Sequence, residues 1–134
     1  MKNSLDLKNI FQALEDAQWD QAVGIKIVKL TGNDVFAFYA AQIDGHKRVG
    51  AHYHIDGIEV YQIIAGQGSI YIGSPQDGGD VKWKQAVSVK TGDCFTVNPG
   101  EAHQLVNTAG ESLILVFACP FSHVSSDRIM VTGV

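Results

Sequence analysis

Short runs of apolar and β-branched residues, separated every few positions by Gly, Asn, Asp or Pro, make up most of this chain. Runs of this length between turn-forming residues are typical of β-strands. About ten can be recognised, and no helical segment connects them, so we predict an antiparallel sandwich or barrel. The predicted strands lie near residues 23–30, 34–43, 47–55, 58–65, 68–73, 80–89, 93–97, 102–107, 112–118 and 128–132.

A helical pattern is predicted only near the N-terminus. Apolar residues recur there at intervals of three and four, as on one face of a helix: Leu5, Leu7, Ile10, Phe11, Leu14 and Ala17. We predict a helix over about 4–17, capped by Asn3 or Ser4, that packs on the outside of the barrel or on a second subunit. Residues 1–134 are expected to form one domain, with the barrel at about 23–132.

Composition and charge exclude some classes of partner. A chain that is 46% hydrophobic and 18% charged can bury a substantial core. The net charge is −4, and no basic run is longer than Lys47–Arg48, so nucleic acid is not expected, because phosphate binding needs a basic patch. No apolar stretch approaches the ~20 residues of a membrane span, and the polar N-terminus does not resemble a signal peptide. We therefore expect no membrane partner and a cytoplasmic location.

A His-x-His pair followed by a glutamate is the most informative feature of the chain. Side chains alternate along a strand, so His52 and His54 point to the same face. Asp56–Gly57 is a strong signal for a two-residue hairpin turn. With that turn, His54 lies opposite Glu59 and His52 opposite Tyr61, with Cβ atoms about 5 Å apart. Two imidazoles and a carboxylate would then converge on one point, as a divalent metal requires.

A further imidazole follows downstream. His103 begins a predicted strand after the turn Asn98–Gly100, where it can face the interior. With it, the chain resembles the cupin superfamily, whose two conserved motifs match at His52, His54, Glu59, Gly66, Gly92, Gly100, His103 and Asn107. One position departs, because cupins commonly have proline where this chain has Asn98, and here Pro99 directly precedes Gly100. The spacing from Gly100 to His103 is kept.

The resemblance implies a fold and a metal site. The implied fold is all-β, a jelly-roll-like barrel (double-stranded β-helix), and the implied ligands of one divalent transition metal are His52, His54, Glu59 and His103. Such donors suit Mn, Fe, Co, Ni, Cu or Zn, and the sequence does not select among them. A six-coordinate ion would keep two adjacent open positions, whereas a tetrahedral zinc held by all four would be closed and structural. In a metal-free member these residues would only fill a pocket.

Three further residues are candidates for contacts beside the metal. Arg48 shares the strand alternation of the two motif histidines, so it either holds a carboxylate or phosphate of a substrate or is a solvated strand end. Tyr61, predicted opposite His52, is either a catalytic proton donor or a packing residue. Asn107 lies four residues beyond His103 on the same strand face and is predicted to line the substrate site.

Other histidines and the second arginine are predicted to lie outside the site. His46 falls in a turn. His123 is expected in a surface loop, with closure over the barrel mouth as the alternative. Arg128, next to Asp127, is expected to be exposed or ion-paired.

Two functions of different class stay open. The first is a metal-dependent enzyme acting on a small oxygenated or carboxylate-bearing molecule. For it the resemblance admits oxygenase, decarboxylase and sugar isomerase or epimerase chemistry, and adjacent open positions slightly favour an oxygenase. The second is a non-catalytic domain that binds or senses a small molecule. Small cupins commonly pair through an outer sheet, so the resemblance also implies a homodimer.

Overall fold

The computed structural model describes residues 5–20 and 24–134. In this part of the chain eleven strands and one α-helix are present. Their bounds are α1 Ile10–Asp16, β1 Ile25–Gly32, β2 Ala37–Ile43, β3 His52–Tyr53, β4 Glu59–Ala65, β5 Gln67–Pro75, β6 Val81–Trp83, β7 Val87–Lys90, β8 Cys94–Val97, β9 Ala102–Asn107, β10 Leu113–Cys119 and β11 Ile129–Met130.

The strands form two antiparallel sheets. The first has the order β1-β2-β10-β4-β8 and the second the order β11-β3-β9-β5-β6, with β7 also paired to β5. Ile43, Ile63 and Leu115 of the first sheet pack in one buried cluster with Ile70 and Leu105 of the second. The predicted all-β, jelly-roll barrel is therefore confirmed, with its core between the two sheets.

The predicted hairpin at Asp56–Gly57 is wrong. Strand β3 pairs with β9 and β11 of the second sheet, whereas β4 pairs with β10 and β8 of the first. His52 therefore lies opposite His103 instead of Tyr61, and Glu59 lies opposite Val97 instead of His54.

A distant carboxylate explains why the turn does not close a hairpin. The backbone amides of Ile55 and Asp56 donate to the two carboxylate oxygens of Asp127, each at 2.8 Å. These amides are thus not used in a ladder between β3 and β4. The segment instead carries the chain from one sheet to the facing sheet.

Three predicted strands differ clearly from the observed ones, and the one predicted near 128–132 is reduced to Ile129–Met130. Of the predicted strand 47–55, only His52–Tyr53 is a strand, with an isolated bridge between Arg48 and Val106. The predicted strand 80–89 is two strands, β6 and β7, separated by residues 84–86.

The helix is shorter than predicted but packs on the barrel. Its N-cap is Asn9, whose side chain accepts from the amides of Phe11 and Gln12, while Asn3 and Ser4 lie outside the described residues. Leu14 is the buried residue of α1 and contacts a second cluster that includes Leu30, Ala40 and Val116: an apolar cluster separate from the core between the sheets. Within the described residues, no helix combines the length and the apolar character needed to span a membrane.

Candidate metal centre

Five ionisable side chains from both sheets meet in the barrel interior. His52 lies on β3 and His103 on β9, while Glu59 begins β4 in the facing sheet. His54 directly follows β3, and His123 lies on a short 3₁₀ helix, residues 121–124, after β10. All five are at most 6% exposed.

The potential ligand atoms form two overlapping groups of three. The nitrogens of His52, His54 and His103 lie within 4.8 Å of one another, and so do the ligand atoms of His54, Glu59 and His123. Glu59 Oε2 is 2.8 Å from His54 Nε2 and 3.0 Å from His123 Nδ1. The structure therefore brings the four ligands predicted from the sequence together around His54, and adds a fifth residue.

One nitrogen of each motif histidine is anchored by a backbone carbonyl. Nδ1 of the three rings donates to these carbonyls: His52 to Gly50 at 2.7 Å, His54 to Asp127, and His103 to Glu101 at 3.4 Å. Because a carbonyl oxygen can only accept, this pattern assigns the proton to Nδ1 and leaves a lone pair on Nε2. Metal-binding histidines are commonly held in this way.

The contact between His54 and Glu59 tests whether the donor set fits a cation. His54 Nε2 is buried and has no hydrogen-bond partner among the described residues, although Glu59 Oε2 is only 2.8 Å away. With the proton on Nδ1, a ring lone pair faces a carboxylate oxygen, and both are acceptors. A metal ion, or a second proton on the ring, would satisfy both atoms. The residues thus fit a divalent cation.

The charge states of the cluster also suit metal binding. Burial, and secondarily the neighbouring His103, lowers the pKa of His52 to about 3. Burial likewise lowers the pKa of His103 to about 4, although the charge of Glu59 opposes this. Burial alone would raise the pKa of Glu59, but the imidazole of His123, and that of His54 when it carries a second proton, hold this pKa well below the usual range. Two neutral rings and an ionised carboxylate are therefore available at neutral pH.

Sequence comparison identifies the family. The cupin domain family matches residues 41–119, more than half of the chain. The chain belongs to the cupin family. No curated protein sequence matches it.

Solved structures agree with this fold. An uncharacterised protein with a double-stranded β-helix domain from Klebsiella pneumoniae has a TM-score of 0.73 at 14% identity, covering 97% of this chain and 100% of that one. A predicted oxalate decarboxylase from Thermotoga maritima has a TM-score of 0.57 at 21% identity, covering 80% and 81%. KdgF from a Halomonas species has a TM-score of 0.61 at 17% identity, covering 78% and 87%. At these identities the likeness shows the fold alone.

Tyr61 of this cupin lies at the candidate site, though not opposite His52. Its hydroxyl donates to Glu59 Oε1 at 2.7 Å and is 3.3 Å from His103 Nε2, and its ring stacks on Phe95. Burial, reinforced by the charge of Glu59, raises the pKa of Tyr61 well above its usual value. Tyr61 therefore stays a protonated phenol, which can donate a proton but cannot act as a base near neutral pH.

Asn107 does not line the cavity, contrary to the prediction. Its Nδ2 donates to three backbone carbonyls and its Oδ1 accepts one backbone amide: the partners are Ile43 at 3.0 Å, Asp44 at 3.0 Å, Glu111 at 2.7 Å and Ala109 at 3.0 Å. The side chain is 1% exposed. All its polar groups hold loop backbone, so no group is left for a substrate.

Arg48 is also placed outside the cavity. It is exposed, and its Nη1 donates to the carbonyl of Val134 at 2.7 Å. The strand that would have carried the alternation from Arg48 to His52 does not form over residues 49–51. The alternative of a solvated residue is the one that the structure supports.

A cavity of about 200 Å³ opens beside the candidate metal centre. The described residues that line it include six polar ones: His52, Glu59, Tyr61, His103, His123 and Arg128. The other nine are apolar: Ile25, Ile27, Ala41, Val49, Ile70, Leu105, Leu115, Phe117 and Val124. Arg128 was expected to be exposed or ion-paired, and it is exposed while also bordering this cavity.

His123, like Arg128, is a cavity-lining residue that sequence reasoning placed outside the site. It was expected in a surface loop, but it is 2% exposed, and its ring lies parallel to that of His54 with centroids 3.9 Å apart. Burial alone would lower the pKa of His123, but the hydrogen bonds to Glu59 and to the Asp56 carbonyl raise it overall. Strand alternation gave no signal here, because the residue lies on a 3₁₀ helix. The buried position agrees with the alternative expectation, in which His123 covers the mouth of the barrel.

Proposed function

We propose that this cupin is a metal-dependent enzyme, an oxygenase, that acts on a small carboxylate-bearing molecule. Its metal ligands include His52, His54, Glu59 and His103. The observation that supports this most strongly is a set of inward imidazole lone pairs beside an ionised carboxylate. Burying such groups is costly unless they bind something.

The donor set indicates the class of metal. Imidazole nitrogens with one carboxylate suit a divalent transition metal. Such an ion would polarise an oxygen-bearing ligand and, if redox-active, would allow reaction with dioxygen.

Side chains of the protein can supply a proton and a contact for the substrate carboxylate. Tyr61 keeps its proton on the phenol oxygen and shares it with Glu59 Oε1, next to the ligand nitrogens. The guanidinium of Arg128 borders the cavity and can bind a carboxylate. The apolar wall excludes water from the space between these groups.

The lining favours an oxygenase over sugar isomerase or epimerase chemistry. Nine of the fifteen lining residues are apolar, whereas a sugar would need hydrogen-bond partners for most of its hydroxyls. A molecule with an apolar body and one acidic end matches the wall and Arg128 together. A decarboxylase acting on a small dianion would leave most of the apolar surface without a partner.

A homodimer and a cytoplasmic location stay predictions. Support for a dimer comes from β1, which lies at one edge of the first sheet and carries Ile27 with 47% of its surface exposed. Phe36 and Phe38, near the start of β2, are also about half exposed, at 50% and 48%. An apolar region of this kind is typical of subunit interfaces.

The proposed function is tested by metal analysis and oxygen uptake. The purified protein should contain about one transition-metal ion per chain and, with iron, should consume oxygen when supplied with aryl or alkyl carboxylates. Manganese or zinc with turnover that does not need oxygen would overturn the oxygenase proposal. An inert metal-loaded protein that gains thermal stability from such carboxylates would instead be a binding domain.

A further inference from the structure

The loop between His54 and Glu59 joins two of the candidate ligands without the support of a strand ladder. His54 follows β3 of the second sheet and Glu59 begins β4 of the first, and in the described part of the chain these two strands do not pair. Within the loop, Ile55 and Ile58 are exposed and provide little packing. Strand pairing thus fixes each ligand within its own sheet and leaves their separation to contacts from other segments.

The segment after β10 makes such contacts on the His54 side through Asp127. The backbone carbonyl of Asp127 accepts the Nδ1–H of His54. Its carboxylate accepts the backbone amides of Ile55 and Asp56, each at 2.8 Å. One residue therefore orients the imidazole of a candidate ligand and also holds the backbone that follows it.

The same segment reaches Glu59 through His123. Nδ1 of His123 donates to Glu59 Oε2 at 3.0 Å, and its Nε2 donates to the backbone carbonyl of Asp56. Both partners are acceptors, so neither ring nitrogen has a lone pair to offer a cation. The ring also lies parallel to that of His54, with centroids 3.9 Å apart. His123 therefore contacts two candidate ligands but is not placed to be one.

Hydrogen bonds within the segment hold Asp127 and His123 in a fixed arrangement. The amide of Asp127 donates to the carbonyl of Ser122 at 2.8 Å, and the amide of His123 donates to the carbonyl of Pro120 at 3.1 Å. Residues 120–127 thus meet the loop as one unit, with one contact residue for each of the two ligands.

We propose that Asp127 and His123 are positioning residues, which set the separation of His54 and Glu59 and thereby the affinity of the site for a divalent transition metal. The inference rests on the proposed metal site. Neither side chain is a ligand, and each acts through hydrogen bonds to a ligand or to the loop that joins the two. Partners of this kind commonly change metal affinity by about 10- to 100-fold. The match to the cupin family ends at residue 119, so both residues act on the site from outside the matched region.

The test is titration of the full chain with Co²⁺, followed by the visible absorption of the bound ion, which reports both affinity and coordination geometry. Asp127→Asn keeps one acceptor oxygen but turns an N–H toward the second amide. We expect this variant to lower Co²⁺ affinity about 10-fold and to shift the absorption bands at saturation, and we expect the same of His123→Ala. His123→Asn restores an N–H close to the position of Nδ1, so its affinity should return to within about 3-fold of wild type.

A matched control lies in the same segment. The hydroxyl of Ser125 donates to the carbonyl of Phe121 and makes no hydrogen bond to the loop among the described residues. Ser125→Ala should therefore keep the wild-type affinity and absorption bands. Circular dichroism of the metal-free variants verifies folding, and if His123→Ala does not fold, the isosteric Asp127→Asn still decides the question.

Three results would overturn the inference in different ways. Wild-type affinity and bands in folded Asp127→Asn and His123→Ala would leave the metal site intact and remove the positioning role. Lowered affinity with unchanged bands, or equal losses in His123→Ala and His123→Asn, would assign the effect to general packing. A wild-type chain that takes up no Co²⁺ would overturn the proposed function together with this inference.

Discussion

Two sets of buried polar side chains in this barrel use their hydrogen-bonding groups differently. Asn107 has both its amide nitrogen and its oxygen occupied, by four backbone groups. Each motif histidine has one ring nitrogen occupied by a carbonyl, while the second points toward the cavity or another site residue. Both sets are equally buried, so burial alone does not distinguish them.

The difference shows which polar residues are structural and which are available for binding. A buried amide with every group paired has nothing left to offer a ligand, and its loss would strand several backbone groups. A buried ring with one free lone pair contributes less to the fold and is available to a cation.

The largest expected effect is the loss of stability when Asn107 is replaced. Asn107→Ala would remove the side-chain partner of three carbonyls and one amide, of which the Asp44 carbonyl keeps the amide of Lys47. We therefore expect the free energy of unfolding to fall by about 4 kcal/mol. Urea denaturation of the metal-free protein measures this, with the exposed neighbour changed in Thr108→Ala as a control. A loss below about 1 kcal/mol would show that water replaces the amide without cost.

At the motif histidines, each of which has one ring nitrogen hydrogen-bonded to a carbonyl, the larger effect should be on metal binding. His54→Ala removes a nitrogen shared by both ligand groups, so we expect metal affinity to fall at least about 100-fold. Because His54 Nε2 has no hydrogen-bond partner among the described residues, the metal-free variant should lose less stability than Asn107→Ala. Elemental analysis and urea denaturation measure the two effects, with His46→Ala as the control. Full metal occupancy in His54→Ala would refute the ligand assignment.

The sequence predicted the proximity of the four candidate ligands better than the strand pairing around them. The alternation of residues and the family motifs depend on local spacing, and they identified four side chains that do meet. The pairing of β3 and β4 depended on Asp127, about 70 residues from the turn it holds. Local turn propensity could not include that competitor for the amides.

The errors at Asn107 and His123 have different physical causes. Asn107 shares a strand with His103, as predicted, but four residues of strand span about 13 Å, which carries it away from the ligand. His123 was missed because a 3₁₀ helix after β10 returns the chain to the site. Its contacts with Asp56 and Glu59 join residues more than 60 positions apart, which no periodic pattern indicates.

The stability of the metal-free protein should depend on pH through the same rings. The pKa values of His52 and His103, about 3 and about 4, lie below the ordinary 6.5, so the unfolded chain binds more protons than the folded chain in that range. Stability should therefore fall as pH decreases from about 6.5 toward 4. Urea midpoints measured at several pH values test this.

A double variant tests whether His52 and His103 cause this pH dependence, and His123 contributes to it in the opposite direction. His52→Asn combined with His103→Asn should flatten the decline below pH 6.5, and an unchanged slope in this variant would contradict the assignment. His123 acts in the opposite sense, because its pKa is raised. Its contribution is present below 6.5 and is lost as pH rises through its folded pKa, so stability should be highest slightly above pH 6.5.

The smallest expected effect distinguishes the two arginines. Arg128 borders the cavity, whereas Arg48 is bound to the Val134 carbonyl. Because both are exposed, solvent weakens any ion pair, and we expect Arg128→Gln to reduce the affinity of the zinc-loaded protein for hexanoate roughly 5-fold. Arg48→Gln should leave it unchanged, and calorimetry with neutral hexanamide as the control should show no difference between the variants. Equal losses for both arginines would mean that the protein attracts the anion through its overall charge, and Arg128 would then have no specific role at the cavity.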